Sequence, residues 1–194
     1  MRHTLFAASI KDIGWITELC AKRRKGDAEL VAKVNKLIDR PLSRAELKER
    51  AATTLPEVPF WHVVRVAMES GHAVYSGVEQ LITPVELPGL DEAFNGDQVA
   101  ATADLMVRYF RTHGPATLRD FAWWTKLPQR LIRPAADSLP PDIERCGEES
   151  QDFVSKVVMD MAEARRKRSV LLLGAFDEYI LGYRDRSFAM TSEV

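Results

Sequence analysis

Few residues of this chain have the types and spacing that metal, nucleophilic or acid–base chemistry requires. Cys20 and Cys146 lie far apart and have no Cys or His companions at ligand spacing, so we expect reduced thiols, no disulfide and no zinc site. No Gly-x-Ser-x-Gly, glycine-rich phosphate loop or His-Glu-x-x-His occurs. The histidines also lack metal-ligand spacing: His3, His62, His72 and His113. The sequence therefore predicts neither a metal nor a small-molecule cofactor.

Two adjacent acids near the C-terminus, Asp177 and Glu178, are the remaining candidates for general acid–base work. Adjacent side chains diverge on a helix and on a strand, so these two are poorly placed as a catalytic pair. We expect them instead to pair with Arg184 and Arg186 across a turn. No catalytic residue is assigned from the residues alone.

Positive charge is concentrated in one window of a chain whose net charge is only -1. Between Arg108 and Arg133, six basic residues stand against one acid, a net +5, whereas Arg40 to Arg65 carries five basic residues against three acids, a net +2. Because the overall charge is balanced, any affinity for nucleic acid must come from such a local patch.

The elements that position these cations begin at a repeated helix-start signal, a Ser or Thr followed three residues later by an acid. Ser9 with Asp12 predicts a helix through about Arg24. Two further copies share the pattern P-x-[ST]-x-x-[DE]-[LF] at an offset of 74 residues, Pro41–Leu47 and Pro115–Phe121. The sequence thus predicts two similar modules.

Each copy has the same predicted surroundings, a helix before it, a proline-led helix after it and then two strands. The predicted helices are 27–39, 60–70, 98–113 and 129–138, and the predicted strands are 72–75, 81–85, 143–146 and 153–158. Helix, helix, helix, hairpin is the order of a winged helix. Such modules also serve as architectural or protein-interaction units, which is the alternative interpretation.

The predicted fold class is mainly α with small β-hairpins (α+β), built as tandem winged helix-turn-helix modules plus C-terminal strands. We expect residues 1–25 to be the remnant of a preceding winged-helix module. Residues 26–95 and 96–158 form the two modules, the latter with a basic recognition helix. Residues 159–194 form a C-terminal helix and strands, incomplete.

In a helix-turn-helix, the +5 window holds the helix that crosses the phosphate backbone and the helix that enters the major groove. Arg119 lies on the first of these helices and is predicted to position the protein on the DNA, while the others can reach base edges or phosphates. The first module is expected to support the second or to contact phosphates only. The predicted DNA-binding residues are Arg119, Lys126, Gln129, Arg130 and Arg133.

Two further features admit alternatives. Trp123 and Trp124 diverge by about 100° on a helix, so one is expected in the core and the other partly exposed, with base stacking as an alternative role for the exposed one. The basic run at 165–168 precedes the apolar stretch 170–173. We expect a solvated helix end followed by a buried strand, with phosphate binding as the alternative.

Two long stretches carry a family resemblance: R-Y-F-R-T-H-G-P-A-T-L-R-D-F-A-W-W-T-K-L-P (108–128) and L-L-L-G-A-F-D-E-Y-I-L-G-Y-R-D-R (171–186). They resemble signature stretches of the bacterial winged-helix DNA-binding family that includes the crosslink-unhooking and alkylpurine DNA glycosylases. The opening M-R-H-T-L-F (1–6) is similar to a third signature, with His3 and Phe6 where the family usually has Gly and His.

The resemblance implies a further N-terminal winged-helix module that, in the glycosylases, carries a catalytic Gln-x-Gln or Gln-x-Asp motif positioning water near the sugar. No glutamine of this chain has Gln or Asp two positions later: Gln80, Gln98, Gln129 and Gln151. The resemblance also implies C-terminal barrel strands, and in this chain we expect them to be cut short after Arg186. We therefore expect a member truncated at the N-terminus and at the C-terminus.

The sequence predicts a winged-helix protein that contacts duplex DNA through a basic helix-turn-helix. The alternative is a DNA glycosylase for alkylated bases or interstrand crosslinks whose catalytic module is missing. A third possibility is self-association through a surface that the missing module would cover, without a fixed oligomeric state. No 18-residue apolar run and no cleavable leader occur, so we expect a cytoplasmic location and no membrane partner.

Overall fold

A computed structural model of the chain describes residues 9, 11–20, 27–146, 151–164, 172 and 177–187. The chain divides into two compact units, one within Leu5–Gly96 and one within Asp97–Val194. In the described residues, each unit is mainly helical and carries one small antiparallel sheet.

The first unit contains five helices and one hairpin in its described part. They are α1 (Ile13–Cys20), α2 (Asp27–Leu37), α3 (Arg44–Thr54), α4 (Phe60–Glu69), β1 (Ala73–Ser76), β2 (Leu81–Pro84) and α5 (Leu90–Phe94). Strands β1 and β2 pair in antiparallel register from Ala73 with Pro84 to Ser76 with Leu81.

The core of the first unit lies between α2, α3, α4 and the hairpin. Apolar side chains at helical spacing on α2 and α4 turn inward, among them Val34, Val63 and Ala67, which are fully buried. The backbone of Leu42 bonds to that of Ile82, which ties the chain before α3 to strand β2. This packing holds the three helices against the hairpin.

The second unit repeats three helices and a hairpin and adds further elements. They are α6 (Gln98–His113), β3 (Ala116–Thr117), α7 (Leu118–Thr125), α8 (Gln129–Ala136), β4 (Ile143–Arg145), β5 (Asp152–Ser155), α9 (Lys156–Ala164) and α10 (Glu178–Leu181). The three strands form an antiparallel sheet in the order β3-β5-β4.

Aromatic residues dominate the core of the second unit. Tyr109 and Phe110 on α6 are fully buried, and both lie beside Phe121 of α7, with ring centroids 5.5 and 6.5 Å away. The Phe110 ring also contacts Phe153 of β5, at 5.1 Å between centroids. Helix α6 is therefore the central element that positions α7 and the sheet.

The structure confirms both capping boxes of the repeat. Ser43 Oγ accepts from the Glu46 N–H and a Glu46 carboxylate oxygen accepts from the Ser43 N–H, at 3.2 and 2.8 Å. Thr117 and Asp120 make the same pair of bonds at 3.1 and 2.9 Å. These local bonds satisfy N–H groups that a helix start leaves free, which is why the sequence pattern located α3 and α7.

One predicted strand was too long. The strand predicted at 153–158 ends at Ser155, and Lys156 begins helix α9. The partner strand β4 starts at Ile143, opposite Ser155. Pro140 and Pro141 lie just before it and have no backbone N–H to donate to β5. The pairing surface therefore ends where the helix begins.

Both ends of the described chain differ from the predicted pattern. Helix α1 begins at Ile13 because the Ser9 carbonyl accepts from the N–H groups of Asp12 and Ile13 and forms a turn first, and residues 21–24 lie outside the described residues. The strand predicted at 170–173 lies outside them except for Leu172, and 178–181 is the short helix α10. No strand occurs in the described part of the chain after Ser155, so the predicted C-terminal strands are not found there.

Candidate nucleic-acid interface

Helices α7 and α8 are joined by a tight turn at Lys126-Leu127-Pro128. Lys126 adopts a left-handed conformation with φ of 62° and donates its N–H to the Ala122 carbonyl, which ends α7. Leu127 is buried, and Pro128 opens α8 without needing a helical donor. The turn thus fixes the start of α8 relative to the end of α7.

The inward face of α8 is apolar and its outward face is polar. Leu131, Ile132 and Ala135 are buried in the core of the unit. All five predicted DNA-binding side chains are exposed: Arg119, Lys126, Gln129, Arg130 and Arg133. Helical spacing therefore places Gln129, Arg130 and Arg133 together on the solvent side of α8.

The cations of this window divide into paired and unpaired groups. Arg108 lies 2.8 Å from Asp104, and Arg111 donates two bonds to Asp142 at 3.0 and 2.9 Å. In contrast, three arginines have no acidic partner in the part of the chain that the structure describes: Arg119, Arg130 and Arg133. The uncompensated charge therefore lies on α7 and α8 and is smaller than the window's net +5.

The corresponding cations of the first unit are mostly engaged. Ion pairs join Arg40 to Glu46 at 3.1 Å, Arg50 to Asp39 at 2.6 Å and Arg65 to Glu69 at 3.7 Å. Arg44 donates to the Tyr75 hydroxyl at 2.8 Å. The two units therefore share a layout but differ in the cations that they leave available to a polyanion.

The two adjacent tryptophans of α7 point in different directions, as the sequence predicts. Trp124 is half-buried beside Tyr109 and donates its indole N–H to Glu178 at 2.9 Å. Trp123 is 43% exposed, and the Lys126 ammonium lies 3.2 Å from the centroid of its ring. Trp124 thus belongs to the interior and Trp123 to the surface that carries the unpaired cations.

A cluster of aromatic and titratable side chains, which sequence reasoning did not find, lies on the other side of α7. We call it the aromatic cluster; it consists of Tyr109, His113, Trp124, Glu178 and Tyr183. The His113 ring stacks on Tyr109 at 4.7 Å and 11°, and its Nε2 lies 3.7 Å from a Glu178 carboxylate oxygen. The prediction that Glu178 pairs with Arg184 or Arg186 is wrong, because the carboxylate contacts Trp124 and His113 instead.

Burial sets the protonation of this cluster. It lowers the pKa of His113, and the nearby Glu178 carboxylate only partly opposes that shift. Burial also raises the pKa of Tyr109 and of Tyr183, so both phenols remain protonated donors. The Tyr109 hydroxyl donates to the Gly182 carbonyl at 2.8 Å and the Tyr183 hydroxyl to the His113 carbonyl at 2.6 Å. These bonds fasten the segment 177–187 to α6.

Asp120, the single acid of the basic window, is an internal residue. Asp120 is only 6% exposed. One of its carboxylate oxygens accepts hydrogen bonds from the N–H and the hydroxyl of Thr117. The other oxygen accepts from the backbone N–H groups of Arg184 and Asp185, at 2.8 and 3.3 Å. The start of α7 is therefore bonded to the same C-terminal segment that the aromatic cluster holds.

Nothing among the described residues assembles a metal centre or a glutamine site. No group of three or more His, Cys, Asp or Glu residues suited to a metal ion occurs there. The four glutamines are exposed and lie on separate elements: Gln80 in the β1–β2 turn, Gln98 on α6, Gln129 on α8 and Gln151 before β5. The arrangement that the structure does provide is an exposed cationic helix pair, which is suited to binding phosphates.

One comparison with known proteins gives a match to this chain, and it is to a family model. Searches of curated proteins and of solved structures give no match to this chain. Among the described helices, none has the length and apolar character needed to cross a membrane. The family model described as DNA glycosylase AlkZ-like matches residues 1–194, so the chain belongs to the AlkZ-like DNA glycosylase family.

Proposed function

We propose that both units are winged helices and that the second binds duplex DNA through α7 and α8. The element order supports this, because α2, α3, α4 and β1–β2 repeat as α6, α7, α8 and β4–β5. In a helix-turn-helix the second helix of the pair enters the major groove, and α8 is the second helix of the pair α7–α8. A DNA-repair role would put this activity in the cytoplasm, the location expected from the sequence.

The observation that carries the proposal is the set of exposed arginines without acidic partners in the described chain, Arg119, Arg130 and Arg133. Because no ion pair with a described residue has to be broken, they are available to neutralise phosphates. Arg119 on α7 contacts the DNA backbone, while Gln129, Arg130 and Arg133 on α8 reach base edges or phosphates at the groove. The first unit, whose cations are mostly paired, supports the second or contacts phosphates only.

The test is fluorescence anisotropy with a labelled duplex over a series of salt concentrations. The slope of log K against log[salt] is negative, and each lost phosphate contact reduces its magnitude by roughly 0.9, so Arg130→Ala with Arg133→Ala should make the slope shallower by about 2 and weaken binding. Arg40→Ala with Arg65→Ala removes the same charge from surface ion pairs of the first unit and is the matched control.

Binding by the control variant should stay close to that of the unaltered chain. If the Arg130/Arg133 variant bound duplex with unchanged affinity and slope, α8 would not be the DNA-binding helix. Equal losses in both variants would mean that charge acts non-specifically over the whole surface.

A second candidate function, release of an alkylated base from DNA, is supported by membership in the AlkZ-like DNA glycosylase family. The chain lacks a Gln-x-Gln or Gln-x-Asp motif, so residues other than such a pair would have to position the water. The assay is release of free base from alkylated duplex by the purified chain, compared with a no-protein control. Release above that control establishes the activity, and its absence alongside salt-sensitive binding leaves DNA binding as the function of this chain.

A further inference from the structure

Trp123 is a large aromatic side chain on the cationic surface of the second unit, and the fold does not need it as core. Its neighbour Trp124 supplies the interior contacts of α7, with its ring against Tyr109 and its indole N–H on Glu178. Phe121 fills the core from the same helix and is fully buried. The 43% exposed ring of Trp123 is thus left facing solvent beside the helix turn.

Cations flank this ring on α7 and at the helix turn. Arg119 lies four residues earlier on α7, so its side chain shares the face of Trp123, with about 5–6 Å between the Cβ atoms of such a pair. The Lys126 ammonium lies over the ring at 3.2 Å from its centroid, a cation–π contact that holds the indole in place. An aromatic plane beside cations matches the two chemical parts of a nucleotide, a flat base and a phosphate.

The other exposed tryptophan has a different setting. Trp61 on α4 is 63% exposed, and the Arg65 guanidinium lies 5.5 Å from its ring centroid. That guanidinium also pairs with Glu69 at 3.7 Å, so its charge is compensated. Exposure alone therefore does not distinguish the two rings, whereas Arg119, which has no acidic partner among the described residues, lies beside Trp123 only.

We propose that Trp123, together with Arg119 and Lys126, binds a nucleobase that is not stacked within the duplex. In a fully paired duplex both faces of each internal base are covered, so only an unpaired base offers a face to the indole. This inference rests on the proposed DNA binding and adds the kind of DNA that the site prefers, a duplex with an unpaired base.

The experiment compares two labelled duplexes that are identical except for a single unpaired adenine in one strand. Base–aromatic stacking raises affinity by roughly tenfold, so the unaltered chain should bind the duplex with the unpaired base about that much more tightly. Trp123→Ala should abolish the preference, so that the two duplexes bind with equal affinity. Trp123→Phe should retain part of it, and Trp61→Ala, the matched control, should retain all of it.

The outcomes separate this inference from the proposed function. Arg130→Ala with Arg133→Ala should weaken binding to both duplexes and keep their ratio. Equal affinity of the unaltered chain for the two duplexes would overturn the stacking site while leaving DNA binding intact, and this comparison requires no variant to fold. A preference that survives in Trp123→Ala would assign stacking to another ring, and no binding to either duplex would overturn both proposals.

Discussion

Replacement of Asp120 by alanine tests how the C-terminal segment is fastened to the second unit. The change removes an acceptor from the Thr117 N–H and another from the backbone N–H of Arg184, in a residue that is only 6% exposed. Thr117→Ala is the natural comparison, because it removes the side-chain cap on the Asp120 N–H and leaves the carboxylate in place.

The two variants should differ by a predictable amount. Both variants lose the bond from the Thr117 hydroxyl to the Asp120 carboxylate. Thr117→Ala also loses the N-terminal cap, which costs about 1 kcal/mol. Asp120→Ala instead loses the reciprocal bond from the Thr117 N–H and the bond from the Arg184 N–H, and a hydrogen bond to a charged acceptor is worth about 1.5–3 kcal/mol. We therefore expect Asp120→Ala to lower the free energy of unfolding by roughly 2–4 kcal/mol.

Native-state amide hydrogen exchange measures the two effects at separate places. In Asp120→Ala the Arg184 amide should exchange at least about tenfold faster, because its acceptor is gone, whereas in Thr117→Ala it should exchange as in the unaltered chain. Exchange within α7 should quicken in both variants. If the Arg184 amide exchanged at the same rate in all three proteins, the carboxylate would not hold the segment and the reasoning would be refuted.

Three other changes test the aromatic cluster and the first capping box. Gly182→Ala would place a Cβ 2.5 Å from His113 Cδ2, so the denaturant midpoint should fall by the equivalent of about 1–3 kcal/mol, and an unchanged midpoint would count against this packing. Burial lowers the pKa of His113, so the contribution of the neutral ring to the free energy of unfolding is complete above about pH 6.5 and is lost as the pH falls below that value. His113→Gln should flatten this part of the curve of stability against pH, and an unaltered curve would contradict the assignment. Bonds from the Ser43 N–H, from the Ser43 hydroxyl and from Arg40 lower the pKa of Glu46 to about 2, which a carboxyl NMR titration can check; Ser43→Ala removes the hydroxyl and keeps the N–H, so it should move the pKa only part of the way back toward 4.5.

The helices of the three-helix repeat are the part of the fold that the sequence predicts best. The signals at Ser43 and Thr117 act within one helical turn, and no distant residue is needed to decide where α3 and α7 begin. The start of α9 at Lys156 was missed because it depends on where another strand ends. That limit is set by Pro140-Pro141, which lie about fifteen residues earlier in the chain.

The candidate interface shows the same division between local and distant information. Charge counting located the basic helices, but it could not show that Asp142 neutralises Arg111, because that pair spans 31 residues. The contact between His113 and Glu178 spans a still longer stretch of chain. In the sequence, Glu178 stood out only as one of two adjacent acids, and the arginines predicted to pair with it are not its partners.

The two capping boxes of the repeat have different second partners. The Glu46 carboxylate also pairs with Arg40, a neighbour in sequence, whereas the Asp120 carboxylate also accepts from the backbone at Arg184 and Asp185. Giving both capping boxes the same acid would therefore change the stability of the second unit. The substitution Asp120→Glu would keep the helix-start motif that the two repeats share. The added methylene would nevertheless displace the carboxylate oxygen that accepts from the backbone N–H of Arg184, more than sixty residues away in the chain.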